Sequence, residues 1–259
     1  MDVADPLKLF ARADEVPAST RSALARRNLV PVDTPVGLMA VGLERSTGAK
    51  KDELFALLTK YATVFDRDLR KGITGYKREL DLHPSYVPKK INFRRRTNPM
   101  AEKVLQAQID KGVLRVLPVK PLSTNRWHLV RKVRFPEDDP RGWRLVVDCT
   151  CNPFVVTGSF PLKNPETVAK SGSQHLFHYV SDADTAYSQF KWSSLVDESH
   201  TALLTGLSVL SHSGMPQGLK GSQEFLMRGF TQIFSVLESP PTIYVDNFNG
   251  GADTELNLA

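Results

Sequence analysis

Residues 52–65 place Leu54, Leu57, Leu58, Tyr61 and Phe65 at three- and four-residue spacing, which predicts an amphipathic helix. Asp52, near its start, suits the positive end of the helix dipole. A second helix is predicted over 99–112, where Asn98 can cap, Pro99 fits the first helical position and Gly112 ends the run. Others are expected over about 164–171 and over 223–234, the latter with Phe225, Leu226, Phe230 and Phe234 as core residues. Period-two patterning marks strands at 79–83, 127–132 and 143–148. The last two flank a turn-like run at 135–142, rich in proline, aspartate and glycine. Short apolar runs at 177–180 and 242–245 lead to Asp182 and Asp246. Residues 1–50 mix proline, alanine, serine and arginine with little pattern. They read as linker, with short helices allowed at 7–12 or 20–28.

Composition narrows the picture. With 259 residues, 41% of them apolar, the chain can bury a core for one large or two small domains. The net charge of +6 suits a polyanionic partner. Basic residues gather at Lys89, Lys90, Arg94, Arg95 and Arg96, a run that is either a solvated face or a line of phosphate contacts. Cys149 and Cys151 are the two cysteines. They are too few for a structural zinc site without other ligands, and they form no disulfide framework. A reducing intracellular setting follows, a cytoplasmic particle or the nucleus. No apolar run approaches the ~18 residues of a membrane span, so no membrane partner is expected.

The chemistry lies in the last third. Asp182 and Asp246 are far apart in sequence, yet each follows a β-prone run. Carboxylates at the ends of neighbouring strands are what a two-metal phosphoryl-transfer site needs, because Mg²⁺ takes one or two carboxylates plus substrate phosphates. Between them runs Gly214-Met215-Pro216-Gln217-Gly218-Leu219-Lys220-Gly221-Ser222, whose glycines permit close backbone approach. Three ordered blocks then stand out: Asp182 with Tyr187 and Gln189, the Met215–Ser222 loop, and Tyr244-Val245-Asp246-Asn247. Together they resemble the palm of a reverse transcriptase, most like the gypsy-type LTR retrotransposon and retroviral group. The 127–148 hairpin, with Trp143-Arg144 and Asp148, is similar to that family's fingers hairpin. The resemblance covers about residues 52–256.

The resemblance implies an α+β fold: reverse-transcriptase fingers and palm, over 51–259, with an antiparallel palm sheet backed by helices and the thumb absent. It implies an RNA-directed DNA polymerase that adds dNTPs to the primer of an RNA or DNA primer–template, with Mg²⁺ or Mn²⁺ held by Asp182 and Asp246. Lys132 and Arg144 would hold the triphosphate, Arg144 through its planar fork. Tyr187 would lie beneath the sugar, Gln217 and Gly218 would touch the incoming nucleotide, and Lys220 would contact phosphate or template. Further polyprotein domains (protease, ribonuclease H, integrase) are expected partners. Two departures matter. The family's second aspartate of the last block is Asn247, which keeps an oxygen acceptor but loses a charge. The segment Asp148-Cys149-Thr150-Cys151-Asn152 lacks the family's arginine and is one residue shorter. The return strand after Asp246, Phe248-Asn249-Gly250-Gly251, is also poorly apolar. Asn247, the shortened segment and the absent thumb support an alternative: a catalytically degenerate nucleic-acid-binding remnant, or a fragment of such a polymerase.

Overall fold

The computed structural model describes residues 12–42, 45–65, 69–91, 99–133, 135–161, 163–173, 175 and 177–252. The chain divides into two units, Met1–Arg67 and Asp68–Ala259.

In the first unit, helix α1 (Ala18–Ala25) precedes an antiparallel hairpin of β1 (Leu29–Thr34) and β2 (Gly37–Gly42), and α2 spans Gly48–Lys60. Helix α1 overlaps the short helix allowed at 20–28, and the β1–β2 hairpin stands where linker was expected. Val16 and Leu24 are buried against Leu29, Leu38 and Ala40, a small core of their own. Pro31 hid the first strand: it sits within β1 opposite Ala40, and proline within a run argues against a strand unless the strand is an edge. The helix expected over 52–65 begins earlier, at Gly48, and gives way to a 3₁₀ turn at Ala62–Phe65.

The second unit opens with β3 (Ile73–Arg78) and α3 (Pro99–Asp110), followed by β4 (Leu114–Val116), β5 (Thr124–Arg131) and β6 (Trp143–Asp148). Then come α4 (Pro165–Ser173), β7 (Phe177–Asp182), α5 (Ala186–Gln189), β8 (Phe190–Trp192), α6 (Leu195–Ser199), β9 (Ala202–Leu204) and β10 (Val209–His212). Helix α7 (Ser222–Phe234) and strands β11 (Thr242–Tyr244) and β12 (Asn247–Ala252) complete it. The strand expected at 79–83 lies a few residues earlier, in β3, which pairs in parallel with β8. Leu80 and Leu82 still pack into the core, but 79–83 makes only a single bridge, Leu82 to Val155.

Two sheets frame the unit. One has the order β4-β10-β9-β5-β6, the other β11-β12-β7. The first closes over Trp127, Leu105, Leu114, Leu203 and Leu210. It also buries Glu198 of α6 completely. That carboxylate accepts from the Arg115 guanidinium at both oxygens and from Ser211 Oγ at 2.5 Å, which is how a buried charge is tolerated. The second sheet packs on an aromatic layer. The Phe248 ring of β12 lies edge-on to Phe230 and Phe234 of α7, with centroids 4.8 and 4.9 Å away. Full burial of such a ring is worth about 1.5–3 kcal/mol, of which half-buried Phe234 and Phe248 gain a part. This contact explains why the poorly apolar return strand forms at all: one aromatic side chain docks it. Gly250 lets it lie flat, because a Cβ there would meet the Tyr179 ring at 2.7 Å. Among the described residues no helix is long and apolar enough to cross a membrane.

His212 is buried, and that burial pushes its imidazole down to about 4. The unfolded chain therefore binds this proton more readily than the folded one. The stability that neutral His212 preserves is full above pH 6.5 and falls as pH drops towards 4. Chemical denaturation of the wild type between pH 7 and pH 4 should show a loss about 3 kcal/mol larger than that of His212→Asn. Parallel pH curves for the two proteins would contradict this.

Candidate active site

Strand β7 delivers Asp182 and the β11–β12 turn delivers Asp246. Strand β12 pairs antiparallel with both neighbours: Tyr244 lies opposite Asn247 on one side, and Asn247 lies opposite Asp182 on the other. The Ala183 N–H donates to the Asp246 carbonyl at 2.8 Å. The two aspartates thus come to one corner of the sheet although 63 residues lie between them in the chain. Asp182 is exposed and Asp246 half-buried. Asn247 donates from Nδ2 to Asp246 Oδ1 at 3.3 Å, so the residue that lacks a charge is hydrogen-bonded to the one that has it.

The turn itself is strained. Val245 takes φ +59° and Asp246 does not share the positive φ, the pattern of a type II′ hairpin turn that normally carries glycine first. A β-branched residue in that region is a genuine outlier. Its cost is about 1–3 kcal/mol, and such strain gathers at functional sites.

Tyr187 stands on α5, five residues after Asp182, and is half-buried. Burial first, and the Asp246 carboxylate second, push its phenol above the usual range, and its ring packs in the same apolar cluster as Val245. Its carbonyl accepts from the Met215 N–H at 3.1 Å, tying the glycine-rich loop to the same corner. Gln217 and Gly218 are exposed on that loop. Gly218 has φ +97°, and a Cβ there would meet the Val147 carbonyl of β6 at 2.9 Å. Glycine is required for both reasons.

The loop is held from a second direction by Asn152, whose role the sequence did not reveal. Its Nδ2 donates to the Gly218 carbonyl at 2.7 Å and its Oδ1 accepts from the Lys220 N–H at 2.8 Å. Behind it, Asn125 of β5 accepts from the Thr150 N–H and Oγ1 and donates to the carbonyls of His200 and Ala202. Cys149 and Cys151 are both free and buried; burial raises both thiols, Cys151 to about 11. The shortened segment is therefore a well-anchored support for the loop. Lys220 is exposed overall, but its ammonium donates to the Val155 carbonyl at 3.0 Å.

Lys132 and Arg144 lie on the other sheet. Arg144 is exposed on β6 opposite Val130, and the Lys132 N–H extends the ladder to the Gly142 carbonyl at 2.7 Å. Strand alternation puts Arg144 on the exposed face with Arg126 and His128, while Lys132, just past the end of β5, is half-buried. The Gly218–Val147 approach is the link between that sheet and the aspartate corner. Lys89 and Lys90 are exposed beside the start of β5, where the Thr124 N–H donates to the Lys89 carbonyl. Arg94, Arg95 and Arg96 lie outside the described residues. No cluster of three or more His, Cys, Asp or Glu side chains occurs among the described residues. The donors at the corner are two carboxylates and the Asn247 amide. That set suits a hard cation completed by substrate phosphate, and not an all-protein cage.

No protein-family model and no curated protein matches the chain. Solved structures do. A foamy viral protease–reverse transcriptase in complex with double-stranded DNA superposes with a TM-score of 0.62 at 15% identity, over 80% of this chain and 36% of that one. The foamy viral protein in complex with an RNA/DNA hybrid gives 0.63 at 16%, over 81% and 28%. The native prototype foamy virus protein gives 0.59 at 16%, over 79% and 27%. The chain thus spans between 27% and 36% of the length of these proteins. The likeness is one of fold: an α+β arrangement similar to the fingers and palm of reverse transcriptases.

Proposed function

We propose that the chain is the fingers–palm part of an RNA-directed DNA polymerase, of the gypsy-type and retroviral group, acting on a primer–template and dNTPs. The observation that carries this reading is the register that sets Asn247 opposite Asp182, with the Ala183–Asp246 bond beside it. It brings the carboxylate at the end of β7 and the one on the β11–β12 turn to one corner of the sheet, on the side of Tyr187. The solved relatives that bind DNA or an RNA/DNA hybrid support a nucleic-acid partner. The ordered sequence blocks support the finer gypsy-type assignment.

In this reading Asp182 and Asp246 hold divalent cations, Mg²⁺ or Mn²⁺. Bound there, the cations supply the positive charge that stabilises the attacking and leaving oxygens of an in-line displacement. The chain does the rest. Arg144, exposed on β6, and Lys132, half-buried at the end of β5, bind triphosphate oxygens. The half-buried Tyr187 ring forms a floor for the sugar. Gln217 faces the nucleotide from a loop that is fixed at both ends, by Tyr187 and by Asn152. Positioning of this kind accounts for much of the rate in phosphoryl transfer.

A second reading, a nucleic-acid-binding remnant without catalysis, is favoured by one observation. The Asn247 amide donates to Asp246, which occupies a carboxylate lone pair and leaves the corner a charge short.

Primer extension on a homopolymer RNA template with Mg²⁺ or Mn²⁺ separates the two. Incorporation by the wild type, lowered by about 10³-fold in Asp182→Ala, is the expected result. Asn247→Asp should raise it by about tenfold or more. Template binding without incorporation by either protein would establish the remnant. Asn152→Ala should lower incorporation by on the order of tenfold with a fall of about 4–8 °C in melting temperature, because it frees the Gly218 carbonyl and the Lys220 N–H. Equal rates for Asn152→Ala and the wild type would show that the loop needs no such anchor.

A further inference from the structure

Alongside α7 lies a cleft of about 620 Å³, within the range of roughly 300–1,000 Å³ that takes drug-sized ligands. Met227, Thr231 and Phe234 line it from α7, with Phe160 from the extended segment before α4, and Pro241 and Ile243 from the approach to the β11–β12 turn. Aromatic and proline surfaces suit a flat ring system, which gains area and offset stacking at small entropic cost. The charge at the cleft is one-sided. Among the described residues, Lys163 is the single charged side chain that lines it, and no described carboxylate does. Lys163 and Thr231 are both exposed.

We propose that this cleft binds a small aromatic anion, with its rings against Phe160, Phe234 and Pro241 and its anionic group on the Lys163 ammonium. The apolar walls exclude a highly charged ligand such as a triphosphate, whose charges one lysine would leave unpaired. The lone cation disfavours a cationic ligand. The volume holds a small molecule but not a protein segment with its own hydrophobic face. This inference is independent of the polymerase reading, since none of the aspartate-corner residues lines the cleft. It does touch that corner indirectly: Thr242 and Ile243 belong to the strand that leads to Asp246.

The test uses 8-anilinonaphthalene-1-sulfonate, a two-ring aromatic anion, titrated by fluorescence and calorimetry against the whole chain. One saturable site is expected, with a Kd on the order of 10–100 µM. Lys163→Glu should weaken it about tenfold, as should replacing the probe by uncharged N-phenyl-1-naphthylamine. Thr231→Trp, which fills the cleft from an exposed position, should abolish it. Ser235→Trp, also at the lining and exposed, serves if Thr231→Trp lowers the melting temperature. Absence of saturable binding, or binding unchanged in the filled variants, would overturn the proposal. Equal affinity for the uncharged probe together with indifference to Lys163→Glu would overturn its anionic part. A concentration-dependent dimer that Thr231→Trp disrupts would show instead that a second copy covers the cleft.

Discussion

The pairing of β12 with β7 is the constraint on which the rest of the site depends. Side chains alternate along a strand, so a slip of one residue would carry Asp182 to the opposite face. Three contacts hold β12 in place. The two-residue turn at Val245 and Asp246 sets β11 against β12. The Phe248 ring docks on Phe230 and Phe234. Asn249, buried at the middle of β12, donates to the Val168 carbonyl of α4 at 2.6 Å. Turn geometry, apolar packing and a polar bond thus act on one strand, and the strain at Val245 is held in place by all three.

A second level of organisation carries that corner to the other sheet. The loop from Gly214 to Ser222 belongs to neither sheet, yet it is tied to Tyr187 on one side and to Asn152 on the other. Each neutral hydrogen bond contributes only about 1 kcal/mol to stability. Their effect on geometry is larger, because they remove the freedom of an exposed loop at Gln217. Asn125 and Asn152 form a relay of side-chain amides through the Cys149–Asn152 turn, and the buried thiols beneath it fill space with little reactivity.

Much of this was legible in the sequence. The aspartates after β-prone runs, the glycine-rich loop and the helix over 223–234 were visible because chemistry and periodicity are local signals. The Asn247 departure was visible too, although its hydrogen bond to Asp246 was not. The rest depends on contacts between distant positions. Nothing near Asn152 announces that its amide bridges to Gly218 and Lys220, 66 and 68 residues away. Strand β12 looked unpromising because its stability comes from one ring and two neighbours, not from its own composition. Strand β3 was displaced by a few residues because Leu80 and Leu82 alternate like a strand but pack as an extended segment. Pro31 concealed the first hairpin by the same kind of local conflict, which tertiary burial of Leu29 and Leu38 overrides.

The central claim is that Asp182 and Asp246 form one cation site with both carboxylates required. Titration of Mn²⁺ monitored by electron paramagnetic resonance tests it most directly, on the wild type, Asp182→Asn and Asp246→Asn. The account predicts saturable binding by the wild type that either single substitution weakens by at least about tenfold. Binding that survives each substitution unchanged would mean that the two aspartates do not share a site, and the reading of this corner as a catalytic centre would fall with it.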